Sequence, residues 1–344
     1  MGTWIVPSIN GLEKGFFEME NAKKWASKNA VIIFLVIILI IFSAANSTFR
    51  TANNVINITS QMAINALLAT GITYVIIIGG IDISVGSVAA FAGIFSAFIG
   101  LRFPNMSIVG GLAIQLVSAL LIGGICGLVI GLIITKLHVV PMIATLAMMT
   151  IARGFAYVVT DGQPVYGLSN HFAWLGSQRI LKTESMPQGV IPIITIFTLI
   201  VVVLMHLLLT KTVFGRHVYA VGSNEKVAHL SGINVDKIKI LSHVICSIMA
   251  ALGGVCVTSK LNNGQPGSAD GYEMFAIAAT VLGGTSLLGG SGTVGRAMIG
   301  VTIIASTNVF MNLVQVPSYW QKIIIGIIIL FAVVVDAAQK KQKN

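Results

Sequence analysis

Residues 107–135 read SIVGGLAIQLVSALLIGGICGLVIGLIIT, a run without a single charged side chain. A helix that crosses a bilayer needs about 20 mainly apolar residues in succession, and this run exceeds that. The same signature recurs in both directions from it. Ten spans are predicted, at 30–46, 57–79, 84–101, 107–135, 139–160, 189–210, 240–259, 271–289, 293–315 and 319–338. The third and eighth are crowded with small residues and are expected to be short or broken within the membrane. The chain of 344 residues is 56% hydrophobic and only 9% charged, whereas soluble domains carry about 25% charged residues. So much apolar surface needs lipid as its partner. The predicted fold class is therefore all-α, a polytopic integral membrane helical bundle.

Charge sets the expected orientation. The formal net charge is +10, but the cations are too few and too scattered for a nucleic-acid face. With the N-terminus placed inside, 14 Lys and Arg fall in inside segments, six in outside segments, and Arg153 within a span, which accounts for all 21. Cytoplasmic loops carry the excess of Lys and Arg, so both termini are expected in the cytoplasm of an inner-membrane protein. The expected organisation is a cytoplasmic segment at 1–29, a transmembrane domain at 30–338 with an inside loop at 211–239, and a cytoplasmic tail at 339–344. The first apolar run ends at Ser43-Ala44-Ala45, as a cleavable signal would. Its polar lead is long and further runs follow, so the first span is expected to remain uncleaved. Cys126, Cys246 and Cys256 lie in apolar runs and read as small buried residues, with no disulfide framework and no metal site implied.

Polar residues inside such a chain carry the functional information. Gly79-Gly80-Ile81-Asp82-Ile83-Ser84-Val85-Gly86-Ser87 joins two apolar runs, and an Asp flanked by glycines there indicates irregular backbone lined by protein or water. Two roles are open for Asp82 and Ser84: shaping a translocation path, or capping the helix that follows. Glu273, after Gly271-Tyr272, opens another run. It suits either a helix N-terminal charge or a contact in the path. Gln61 and Asn65 share a helix face, and so are Asn308, Asn312 and Gln315 expected to do. Such stripes line a path or bind helices together, and neutral amides suit a neutral polyhydroxyl solute better than a cation. Arg153 is expected to reach an interface or a partner. Gly79-Gly80 followed by Gly86-Ser87 is echoed by Gly283-Gly284 followed by Gly290-Ser291, a faint internal repeat of the kind transporters carry.

The inside loop has its own grammar. Ser223 or Asn224 can cap a short helix and Gly232 can end it. A helix of about two turns results, and Val227 and Leu230 on its surface would fit a partner's groove. The phosphate loop with its Lys is missing, since no Gly-Lys pair occurs. The usual hydrolase signatures are missing too, so no catalytic residues are expected.

Three blocks together resemble one family: 80–87, then 215–239 with Asn224-Glu225 and Leu230-Ser231-Gly232-Ile233-Asn234-Val235, then Gly271-Tyr272-Glu273 to Gly283-Gly284-Thr285-Ser286. From about Phe49 to Asp336 the chain is similar to the permease subunits of bacterial carbohydrate ABC importers, which serve ribose, xylose, arabinose and galactosides. The second and third blocks look closest to ribose permeases. The resemblance implies a homodimer with one path between its copies, an extracytoplasmic sugar-binding protein, and a separate ATPase subunit that holds ATP and Mg. No cofactor is expected in this chain. It further implies that 222–232 forms a coupling helix, with Gly222, Asn224, Glu225, Ala228, Ser231 and Gly232 near the ATPase. Gln61, Asn65, Asp82, Ser84, Glu273, Asn308 and Asn312 are the residues expected along the path. Competing readings are an importer of another small polar solute such as an autoinducer, an ion-coupled carrier, and an intramembrane enzyme. The carboxylates near helix ends argue against the carrier.

Overall fold

The computed structural model describes residues 29–184 and 186–341. Residues 1–28 of the expected N-terminal segment and 342–344 of the expected tail lie outside them. In chain order the first helices are α1 (Ala30–Ala45), α2 (Ala52–Ile77), α3 (Val85–Gly100), α4 (Ile108–Lys136) and α5 (Pro141–Thr160). A short α6 (Trp174–Ser177) and a two-strand ladder follow, β1 (Arg179–Ile180) antiparallel to β2 (Ile191–Pro192). The rest are α7 (Ile193–Lys211), α8 (Val213–Ser223), α9 (Glu225–Leu230), α10 (Val235–Leu261), α11 (Tyr272–Leu282), α12 (Val294–Leu313) and α13 (Ser318–Lys341).

Ten of these helices coincide with the ten predicted spans. Among the described residues, α2, α4, α5, α7, α10 and α12 are each long and apolar enough to cross a membrane. The two spans expected to be short are so: α3 has 16 residues and α11 only 11. The eighth stops at Leu282 rather than 289 because Gly284, at φ +86°, turns the chain. The sixth starts at Ile193 because the residues before it pair as β2. Six helices begin on a Ser, Thr or Asn whose side-chain oxygen accepts the N–H three residues on: Thr51, Ser107, Thr212, Asn224, Asn234 and Thr293. Each cap satisfies a backbone donor that a helix start leaves free.

Helix α10 is the axis of the bundle, with α2, α3 and α4 packed around it. Lipid tails are as apolar as Leu, so such helices associate through close backbone packing. Small residues make that possible. A Cβ on Gly123, Gly127 or Gly131 of α4 would lie 2.6, 2.5 or 2.7 Å from the Cα of Ile248, Val244 or Ile240. Gly71 of α2 and Gly93 of α3 lie as tightly against α10. Gly254 abuts Ala89, so α3 begins roughly halfway along α10, about 20 Å from its N-terminal end at 1.5 Å per residue. The chain reaches that depth from the end of α2 through the irregular segment 78–84.

At the end of the bundle opposite α9, residues 161–178 form a cap. Gln115 Nε2 and Ser259 Oγ both donate to the Phe172 carbonyl, at 2.6 and 3.0 Å. The Gly176 N–H donates to Ser259 Oγ, and Val165 pairs with Gly264. Beneath lies a small separate core that includes Ile94, Ala97, Met106 and Phe172.

Candidate functional site

Two regions gather the polar residues that sequence singled out. The first is the α8–α9 end of the bundle. Asn224 Oδ1 accepts the Val227 N–H at 3.1 Å and starts α9, and Gly232, at φ +80°, terminates it. The helix has six residues. Ala228 packs inward at 3% exposure, whereas Val227 and Leu230 stand out at 57% and 85%. Two apolar side chains held outward on a capped helix form a surface that water does not explain. Glu225 is paired with Lys239 of α10 at 2.7 Å, so α9 is tied to the axis of the bundle. The Ser231 hydroxyl donates back to the Val227 carbonyl.

The root of α9 is a junction of backbones. A Cβ on Gly222 would collide with the Ile77 carbonyl oxygen at the end of α2, and would approach the Gly290 nitrogen at 2.8 Å. The Gly290 N–H donates to that same carbonyl at 2.8 Å. Tyr219 donates its hydroxyl to the Gly292 carbonyl at 2.7 Å. Burial raises the Tyr219 phenol above its ordinary range, so it stays a neutral donor at physiological pH. The two echoed glycine segments, 79–80 and 283–290, therefore meet, and Gly222 sits between them.

Asp82 is fully enclosed. Its Oδ1 accepts both the N–H and the hydroxyl of Ser84, at 2.8 and 2.6 Å, which closes the turn into α3. Ser84 makes no side-chain cap of its own. The Cys246 thiol of α10 lies within hydrogen-bonding reach of the carboxylate. His243 of α10 lies beside it.

The second region is a cleft of about 460 Å³ between α5, the start of α3 and the start of α11, lined by Ser87, Thr150, Arg153, Tyr157, Asp270 and Glu273 among others. The starts of two short helices converge here. A Cβ on Gly86 would collide with Glu273 Oε2, so the absent side chain is what lets the carboxylate lie against α3. Glu273 is 9% exposed. Both helix starts carry partial positive charge, and a carboxylate is favoured between them. Arg153 reaches across from α5: its Nη1 donates to the Pro266 and Ser268 carbonyls at 2.7 and 2.8 Å. Of the two expectations for Arg153, an interface or a partner, the structure shows a partner, the loop that precedes α11. At the mouth Lys322 of α13 stands 3.5 Å from Asp270.

Of the residues expected along a path, Glu273 alone lines this cleft. Asp82 and Ser84 lie deeper, under the turn. Asn65 is buried on α2, and Gln61 is half-buried one turn away. Asn308 is buried on α12, and Asn312 accepts from Gln321 of α13 at 2.9 Å. Gln315 does not share their face, because α12 ends at Leu313 and Gln315 turns at φ +56°. Sequence reasoning passed over Thr150, Tyr157 and Asp270. A signal existed: Thr150, Arg153 and Tyr157 are spaced three and four apart, one polar stripe on α5. Among the described residues, no group of His, Cys, Asp or Glu could hold a metal ion.

Comparison with known proteins agrees with this architecture. Residues 54–333 match the family described as the permease component of the branched-chain amino acid transport system. A ribose import permease of Bacillus subtilis is 42% identical over 304 residues, 88% of this chain and 90% of that protein. The ribose import permease of Escherichia coli K12 is 39% identical over 324 residues, 93% of this chain and 96% of that one. The D-allose permease of the same bacterium is 32% identical, covering 91% of this chain and 92% of its own. No solved structure matches the chain. With four-fifths of its length inside the family's boundaries, the chain belongs to this family of multi-pass membrane permeases.

Proposed function

We propose that the chain is the transmembrane subunit of an ATP-binding-cassette importer that carries a ribose-like monosaccharide across the bacterial inner membrane by alternating access. The observation that carries this reading is α9. A capped, six-residue helix that displays Val227 and Leu230 is a handle for another chain's groove. The ribose and allose permeases among its relatives supply the substrate class.

On this reading α9 faces the cytoplasm and docks on a separate ATPase subunit, which holds ATP and Mg. Gly222, Asn224, Glu225, Ala228, Ser231 and Gly232 build and present the docking surface. Two copies of the chain pair around one path, and an extracytoplasmic binding protein delivers the sugar. The bundle is the two-state element and α9 biases it. Asp82 and Ser84 hold the turn into α3, while Gln61, Asn65, Asn308 and Asn312 serve the neighbouring helices of the path.

The test is uptake of radiolabelled pentoses and hexoses into membrane vesicles that hold the chain with its ATPase and binding protein. ATP-dependent uptake of ribose or a close relative is expected. Uptake that ignores ATP but follows an ion gradient would overturn the reading in favour of an ion-coupled carrier.

A further inference from the structure

The cleft beside α5 is the wrong surface to show to lipid. Arg153, Asp270 and Glu273 line it, and ionisable groups at membrane depth face water or a bundle interior. The cleft is deep: its floor is the start of α3, itself roughly halfway along α10. Its volume of about 460 Å³ lies within the roughly 300–1,000 Å³ typical of small-molecule sites.

Its chemistry is specific. Glu273 is nine-tenths buried, and its carboxylate accepts from the backbone N–H groups of Gly271 and of Glu273 itself, which leaves part of its roughly four lone-pair sites for a ligand. A carboxylate has two acceptor oxygens and can take the hydrogens of two neighbouring hydroxyls. The Arg153 bonds to Pro266 and Ser268 commit Nη1 and leave the Nε and Nη2 donors for another acceptor. Tyr157, 44% exposed, adds a ring face and a hydroxyl at the rim.

We propose that this cleft is a monosaccharide station within the chain, in which Glu273 grips a vicinal diol and Arg153 donates to a ring or hydroxyl oxygen. This rests on the reading of the chain as a sugar permease and names where and how the sugar is held. A site of this kind distinguishes sugars by adjacent hydroxyls. Ribose offers the 2,3-diol and 2-deoxyribose lacks it.

Two measurements on the full assembly test the proposal. In the first, Thr150→Cys is labelled with a water-soluble maleimide. All three native cysteines are buried, which keeps the background low. Millimolar ribose is expected to slow labelling, and 2-deoxyribose to slow it less. In the second, uptake of the two sugars is compared with Glu273 and with Glu273→Gln. The variant is expected to lose about tenfold of the preference for ribose, the factor one charge-assisted hydrogen bond supplies. Unprotected labelling overturns the proposal, and ATP-driven uptake by the wild-type chain would then leave the permease reading standing. Equal loss of both sugars in Glu273→Gln also overturns it, since a purely structural carboxylate would act that way. Protection without ATP-driven uptake would keep the station and sink the importer.

Discussion

Single atoms decide whether the bundle closes. Gly127 and Gly124 lie on the same helix, yet a Cβ at Gly127 would press on the backbone of Val244 and His243, while one at Gly124 would meet nothing within 4 Å. We expect Gly127→Ala to cost about 1–3 kcal/mol through forced separation of α4 from α10. Gly124→Ala should leave stability unchanged. Thermal unfolding of the detergent-purified chain checks both, and equal shifts would refute the asymmetry. From sequence alone this pair could not be told apart, because α4 is apolar on every side and its glycines carry no label for the face they occupy. The capping residues were easier. Asn224 and Gly232 announce the start and end of α9 by local chemistry, which needs no knowledge of what packs nearby. Asp82 was legible only as a choice between two roles. Its hydrogen bonds go to Ser84, so it closes the turn before α3 and caps none of that helix's own N–H groups.

Elements carry the second lesson. The ten spans follow from hydropathy because the bilayer sets both the length and the polarity of anything crossing it. Helix α8 was not anticipated. It lies in the segment read as loop, and its start is fixed by Thr212, whose hydroxyl accepts the Gly215 N–H at 3.2 Å. The cleft was hidden for a different reason: its wall is shared by α3, α5 and the loop before α11, which are distant in sequence. Between α9 and α10, the Glu225–Lys239 pair makes a prediction of its own. An exposed ion pair contributes only about 0–1 kcal/mol to stability, so reversing either charge should leave the fold intact. Glu225→Lys or Lys239→Glu is expected to lower sugar moved per ATP hydrolysed by several-fold. The double reversal should restore it. Failure of that rescue, measured in reconstituted vesicles, would remove the pair from the coupling route.

At the scale of the whole molecule, the fold is one axial helix with two short helices begun at depth beside it. Both short helices are introduced by glycine turns, and the starts of both look into the cleft. The segment of chain between α2 and α3 runs from the α9 end to this cleft, while the one between α11 and α12 lies at the α9 end, with Gly289 and Gly290 against Gly222 and Ile77. That layout was only hinted at by the repeated glycine pairs, since spacing reports neither depth nor contact.

The junction at Gly222 contains backbone where most helix contacts contain side chains. Side chains have rotamers, and rotamers absorb small displacements the way slack absorbs the first pull on a rope. Three main-chain segments in direct contact have almost none to offer. A nudge to the root of α9 of even an ångström has nowhere to dissipate, and it reaches the turn after Ile77 and the turn at Gly290 together. The turn after Ile77 and the turn at Gly290 are thereby geared to one shaft, without backlash.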